Sequence, residues 1–195
     1  MSKKERGTIM ESLEYLEKDI KEIIIDEETL QERIKELGKE ITESYPEGTE
    51  LILICILRGA MIYMADLARN INLPVSFDFM DVSSYGDSTE SSGNVRIIKD
   101  LDDSIENRDV LIVEDIIDTG LTLKHIINIL ETRNPASIKT TTLLDKPERR
   151  EMKQVEVDFN GFEIPNKFVV GYGLDFAEKY RNLPFIGVLK ESLYS

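Results

Sequence analysis

Two periods of apolar residues divide the chain. Leu30, Ile34, Leu37 and Ile41 recur at helical spacing, which predicts an amphipathic helix ending near Tyr45-Pro46. Asp26 is suited to cap it, with Glu27 and Glu28 in the first turn. Leu51–Leu57 is an unbroken apolar run of strand length, the pattern of a strand buried on both faces of a parallel sheet. The same reading gives strands over 20–25, 75–82, 95–98, 110–117 and 138–144. It gives helices over 60–70 and 120–133, the second closed by Asn134-Pro135.

Strands alternating with helices predict an α/β fold, with a mostly parallel, twisted sheet flanked by helices. The last fifty residues hold shorter strand-like pieces at 155–159, 167–170 and 184–189. They are expected to form a small hood subdomain with the N-terminal strand, from about residue 150 to 195. Residues 1–17 read as an extension in which Met10, Leu13 and Leu16 form a short apolar stripe. Residues 18–195 read as a single domain. The segment 83–94, SSYGDSTESSGN, is polar and turn-rich throughout, and Gly86 and Gly93 are placed to act as hinges of a lid.

Charge narrows the function. The chain of 195 residues carries 38 Asp and Glu against 24 Lys and Arg, a net charge of −14. Such a field disfavours nucleic acid and anionic membrane surfaces as partners. An anionic substrate would need a divalent cation. The one cysteine, Cys55, lies within LILICIL and reads as a buried thiol. The apolar stretch 51–68 is interrupted by Arg58, Gly59 and Asp66, so it reads as a strand turning into a helix and not as a membrane span. The N-terminus lacks the apolar run of a signal peptide. A cytoplasmic protein is expected.

The densest chemistry lies in VLIVEDIIDTGLTL, residues 110–123. Glu114 and Asp115 fall where a buried strand should reach the carboxyl edge of its sheet, and carboxylates so placed are costly unless they meet cations or hydroxyl donors. Asp118, Thr119, Gly120, Leu121 and Thr122 then supply hydroxyls, a glycine for close backbone approach and a helix N-terminus, an arrangement suited to an anion. Helix capping is the plainer alternative for Asp118, and both roles are compatible. The GxxxxGK[ST] pattern is absent, and the single GxG, at Gly171 and Gly173, lacks a third glycine. His125, the only histidine, falls within the following helix and is assigned no role. No Cys/His cluster exists for zinc.

This segment resembles the diphosphate-sugar binding signature of the type I phosphoribosyltransferases, in particular those acting on 6-oxopurines. LRGA at 57–60, SSYG at 83–86, LLDKPERR at 143–150 and FVVGYGLDFAEKYR at 168–181 carry the likeness over about residues 18–189. The resemblance implies transfer of the 5-phosphoribosyl group from phosphoribosyl diphosphate to hypoxanthine or guanine, giving IMP or GMP and pyrophosphate, with Mg²⁺ as cofactor. It places Thr119, Gly120, Leu121 and Thr122 on the 5′-phosphate with Asp118, and makes Asp118 the general base near purine N7. Glu114 and Asp115 would receive the ribose hydroxyls, directly or through Mg²⁺. Arg58 and Gly59 match a pyrophosphate loop whose Leu57–Arg58 peptide would be cis, and Arg181 matches a second pyrophosphate contact. Ser84 and Tyr85 fall in the lid over the diphosphate. Lys146, a donor-only ammonium, would read the purine 6-oxygen. Phe168 would stack on the base, the backbone of Val169 would meet its edge, and Asp175 would serve a second Mg²⁺. A homodimer or homotetramer is the usual family state. The rivals are a xanthine-preferring enzyme and a non-catalytic nucleotide-sensing regulator on the same fold. The acidic charge and the intact Lys146, Phe168, Asp175 and Arg181 set weigh against the regulator.

Overall fold

The computed structural model describes residues 16–84, 95–150 and 156–194. Two compact units are present. One runs through Leu30 and resumes at Lys167, and the other spans Gln31–Asn166.

The larger unit is built on a six-stranded sheet. Its strands are β2 (Leu51–Leu57), β3 (Val75–Ser84), β4 (Val95–Lys99), β5 (Asp109–Ile117), β6 (Ser137–Asp145) and β7 (Phe159–Glu163), in the spatial order β4-β3-β2-β5-β6-β7. All neighbours are parallel except β3 and β4. Leu51 to Ile56 of β2 are buried without interruption, as a strand covered on both faces requires. The helices are α1 (Glu27–Glu43), α2 (Met61–Ala68) and α3 (Leu121–Glu131). Leu30, Ile34, Leu37 and Ile41 of α1 are fully buried. Asp26 starts that helix by accepting the Thr29 amide at 2.8 Å. One core cluster joins Ile52, Ile54 and Ile56 of β2 and Val110 and Ile112 of β5 to Leu123, Ile126 and Leu130 of α3. Among the described residues, no helix is long and apolar enough to cross a membrane.

The smaller unit is an antiparallel sheet of β1 (Ile20–Ile25), β9 (Ile186–Leu189) and β8 (Val169–Val170), in that order. Val170, Tyr180, Leu183, Phe185 and Leu189 form its core.

Several boundaries differ from the sequence expectation, three of them with a structural reason. The strand expected at 155–159 begins at Phe159 and runs to Glu163. Before it, the Asp158 carboxylate accepts the Thr140 amide at 2.8 Å, so a side chain takes the place of a ladder partner, and pairing starts at Thr141 opposite Phe159. Because β7 extends the central sheet, the smaller unit takes up the chain at Lys167 and not near residue 150. Ser83 and Ser84, expected to open the lid, continue β3 and pair with Arg96 and Val95. Tyr85, Gly86 and Gly93 of that lid, and Met10 and Leu13 of the N-terminal stripe, lie outside the described residues.

Candidate active site

The parallel strands of the larger unit finish along one edge, and most of the expected site residues follow their ends. Arg58 and Gly59 follow β2, Asp118 to Thr122 follow β5, and Lys146 follows β6. The Cys55–Val113 and Ile117–Asp145 pairings bring these ends together at the carboxyl edge, where open α/β sheets hold ligands. The Leu57–Arg58 peptide is cis.

Alternation along β5 sends its acids to opposite faces. Glu114, Ile116 and Asp118 line a cavity of about 130 Å³, together with Ile117, Thr119, Gly120, Thr122 and Leu123. Asp115 faces Gly59 instead, so closely that a Cβ at Gly59 would lie 1.5 Å from Asp115 Oδ2. Glu114 is buried, and loss of water, aided by the Asp115 charge, pushes its carboxyl well above the ordinary range. A buried acid of this kind invites hydroxyl donors or a cation.

The loop after β5 leaves its helix open at the N-terminus. Gly120 holds φ +82° as the residue preceding α3, and no side chain there caps the helix. Leu121 N lies 3.4 Å from Thr119 Oγ1, a long contact. Asp118 therefore does not cap α3. Gly120, Thr122 and Leu123 at the start of α3 line the cavity, and a helix N-terminus so placed suits an anion.

Lys146 is buried beside this loop, its amide donating to Ile117 O at 2.9 Å. Burial lowers its pKa, Asp118 raises it in opposition, and Arg149 lowers it further. The turn after β6 is clamped by Arg150, which donates to Asp145 Oδ1 and Oδ2 at 2.9 Å each. Arg149, in the Pro147–Arg149 3₁₀ turn, places Nε 2.5 Å from Asp118 Oδ1. That pair lacks hydrogen-bond alignment, and Oδ1 is shut from solvent with no hydrogen-bond partner among the described residues. Sequence reasoning singled out neither arginine. Their only signal was the doubled Arg after the Asp-Lys pair in LLDKPERR, and spacing alone does not say which acid each one meets.

The remaining expected residues belong to the smaller unit. Phe168 is 39% exposed. It stacks on Tyr194, with ring centroids 4.8 Å apart, and meets Phe176 edge-on at 5.6 Å. Val169 lies in β8, opposite Val188. Asp175 is engaged on both oxygens, with Arg181 Nη2 2.9 Å from Oδ1 and the Glu178 amide donating to Oδ2 at 2.9 Å. Arg181 also donates to Gly173 O at 2.7 Å.

A small cavity between the end of a buried strand and a helix N-terminus, with Glu114 and Asp118 in its wall, marks the candidate ligand site of an α/β protein. Residues 22–177 match the phosphoribosyl transferase domain, and the chain belongs to that family. It is 55% identical over 176 residues to the hypoxanthine-guanine phosphoribosyltransferase of Bacillus subtilis, covering 90% of this chain and 97% of that protein. A hypoxanthine phosphoribosyltransferase from Staphylococcus aureus has a crystal structure similar to this one at TM-score 0.89 and 51% identity, over 93% of this chain and 97% of that one. The Trypanosoma cruzi hypoxanthine phosphoribosyltransferase, solved as a mutant in a ternary substrates complex, is similar at TM-score 0.84 and 43% identity, over 91% and 100% of the two chains.

Proposed function

We propose that the protein is a purine-salvage enzyme that moves the 5-phosphoribosyl group from phosphoribosyl diphosphate to hypoxanthine or guanine, giving IMP or GMP and pyrophosphate. The observation that carries this reading is the buried Lys146 beside Asp118 and the phosphate loop. A donor-only ammonium favours a purine with oxygen at C6 and leaves the amino group of adenine unpaired, a difference of ~1–3 kcal/mol.

In this reading the first amides of α3, with Thr119 and Thr122, hold the 5′-phosphate. Glu114 accepts from a ribose hydroxyl and thereby relieves its own desolvation. The bond from ribose C1 to the diphosphate oxygen breaks as the bond to purine N9 forms, and the proton on N7 passes to Asp118 Oδ1. Positioning the two reactants and stabilising the departing charge supply the rate enhancement. Arg58 and Arg181 offer that charge, and Phe168 offers a stacking face.

Glu114, Asp115 and Asp175 offer the carboxylate oxygens that suit Mg²⁺, and would hold it to supply positive charge to the diphosphate. Glu114 and Asp115 point to opposite faces, so each would serve its own partner. Asp175, occupied on both oxygens, fits contact through water. Bound Mg²⁺ would neutralise the diphosphate, which an acidic chain otherwise repels. A cytoplasmic location is part of the same reading, as is a homodimer or homotetramer, for which Phe77 on β3 and Ile98 on β4, 54% and 56% exposed, offer apolar surface.

A spectrophotometric assay with phosphoribosyl diphosphate and hypoxanthine, guanine, xanthine and adenine tests the proposal. Hypoxanthine and guanine should react, adenine should not, and chelation of divalent cations should abolish turnover. Adenine or xanthine as the best substrate would sink the reading.

A further inference from the structure

We propose that Arg149 is a positioning residue that covers Asp118 and has to withdraw for the purine to reach it. The inference rests on the reading of Asp118 as the proton acceptor. In that reading the Asp118 carboxylate must receive the purine N–H, and its Oδ1 is closed to solvent and accepts no hydrogen bond among the described residues. Arg149 Nε stands 2.5 Å from it. The guanidinium thus occupies ground that an N–H donor of the base has to take.

Two adjacent arginines show the difference between an anchor and a cover. Arg150 grips Asp145 with two parallel hydrogen bonds of 2.9 Å, and the side chains of this pair are only 14% and 10% exposed. Such a bidentate pair is fixed in direction as well as in charge. Arg149 meets Asp118 through one misaligned nitrogen, and their side chains are 46% and 43% exposed. Charge alone holds it, and solvent lies open for the guanidinium to move into. The Arg149 amide also donates to Lys146 O at 3.0 Å, so the residue that would read the base and the residue over the acid share one turn.

The exchange is self-consistent in charge. While Asp118 is ionised and no base is bound, Arg149 satisfies it. Once Asp118 has taken the purine proton it is neutral and holds no attraction for the guanidinium. When that proton passes to solvent after product release, the pair re-forms. The cover therefore opposes the base before reaction and does not compete with the protonated acid afterwards.

The test compares wild type, Arg149→Met and Arg149→Lys, each also in an Asp118→Asn background, at saturating phosphoribosyl diphosphate and Mg²⁺. Arg149→Met should lower the KM for hypoxanthine about two- to fivefold, the range of a half-exposed ion pair, while kcat moves less. Arg149→Lys should restore most of the wild-type KM, because a cation returns. In the Asp118→Asn background the KM should not respond to Arg149→Met. Thermal melting of each variant reports whether it folds. An unchanged or raised KM in folded Arg149→Met overturns the proposal, as does a fall that persists without the Asp118 charge. If Asp118→Asn keeps wild-type turnover, the reading of Asp118 fails. If Asp118→Asn loses turnover and Arg149→Met is silent, only the role of Arg149 fails.

Discussion

Gly59 and Asp115 meet so closely that no side chain fits between them: a Cβ on Gly59 would lie 1.5 Å from Asp115 Oδ2 and 2.5 Å from its Cγ. Both distances are far inside van der Waals contact, so the carboxylate would have to rotate away. Asp115 Oδ1 already accepts the amide of Ile116 at 2.7 Å, which opposes that rotation. Gly59→Ala should therefore displace the acid at the mouth of the sugar site and cost about a hundredfold in kcat/KM for phosphoribosyl diphosphate. Steady-state kinetics at fixed hypoxanthine checks this. Kinetics within about threefold of wild type would show that Asp115 relaxes without consequence.

The elements themselves were legible in the sequence wherever apolar period was strong. The Leu51–Leu57 run is β2 residue for residue, and the Leu30, Ile34, Leu37 and Ile41 stripe is the buried face of α1. The error at 155–159 came from Asp158, whose carboxylate substitutes for a strand partner, a long-range contact that no local pattern encodes. The strand, loop and helix around the cavity were legible because they are contiguous: strand, small hydroxyls, glycine and helix N-terminus follow one another. The Gly59–Asp115 and Arg149–Asp118 contacts were not legible, since each joins the ends of strands distant in sequence and depends on register. The opposite facing of Glu114 and Asp115 did follow from the two-residue period, but the depth at which Glu114 is buried did not.

Glu114 sets a pH dependence of stability. Its folded-state carboxyl is raised from an ordinary 4.5 by burial first and by Asp115 second. As pH climbs past that ordinary value the unfolded chain releases its proton while the folded chain keeps it, so fewer protons are bound when unfolded and stability falls with rising pH. The contribution is intact below the ordinary value and is lost as pH rises through the folded one. Glu114→Gln removes the loss, so the ligand-free variant should melt higher than wild type at about pH 7, with the gap closing towards about pH 4. The same variant should lose about ten- to a hundredfold in kcat/KM, because the carboxylate charge has gone and a donor NH2 replaces one of the two oxygens that can accept from the ribose hydroxyls. Melting curves across pH and an initial-rate assay test the two halves separately. A variant less stable than wild type near neutral pH would contradict the desolvation argument.

Base choice should follow the charge on Lys146. Lys146→Gln keeps a donor but adds an acceptor and removes the cation, so discrimination between oxygen and amino groups at C6 should narrow. A loss of about ten- to a hundredfold in kcat/KM for hypoxanthine is expected, with any adenine activity unchanged or increased. Competition between hypoxanthine and adenine in one reaction measures the ratio directly. If the ratio is the same in the variant and in wild type, selection lies elsewhere in the site.

Cys55 should be chemically silent until the fold opens. It is fully buried in β2, and loss of water, aided by the charges of Glu114 and Asp115, pushes its thiol from 9.0 up to about 12. The thiolate is the reactive form, so at about pH 8 the native protein offers almost none of it, and burial denies access to the rest. A thiol reagent should label the native enzyme at the rate of opening, and should label denatured protein at once with one equivalent. The pH dependence has a definite sign. Between 9.0 and about 12 the unfolded chain gives up the thiol proton first, so this group removes stability as the solution becomes more alkaline. Cys55→Ala abolishes that contribution at the cost of a small cavity, while Cys55→Val keeps more of the packing in a strand buried on both faces. Labelling followed over time with and without phosphoribosyl diphosphate separates the two origins of protection. If ligand slows labelling, the openings that expose β2 are those that dismantle the site. If native protein labels as fast as the denatured chain under these conditions, the burial assigned to Cys55 is wrong.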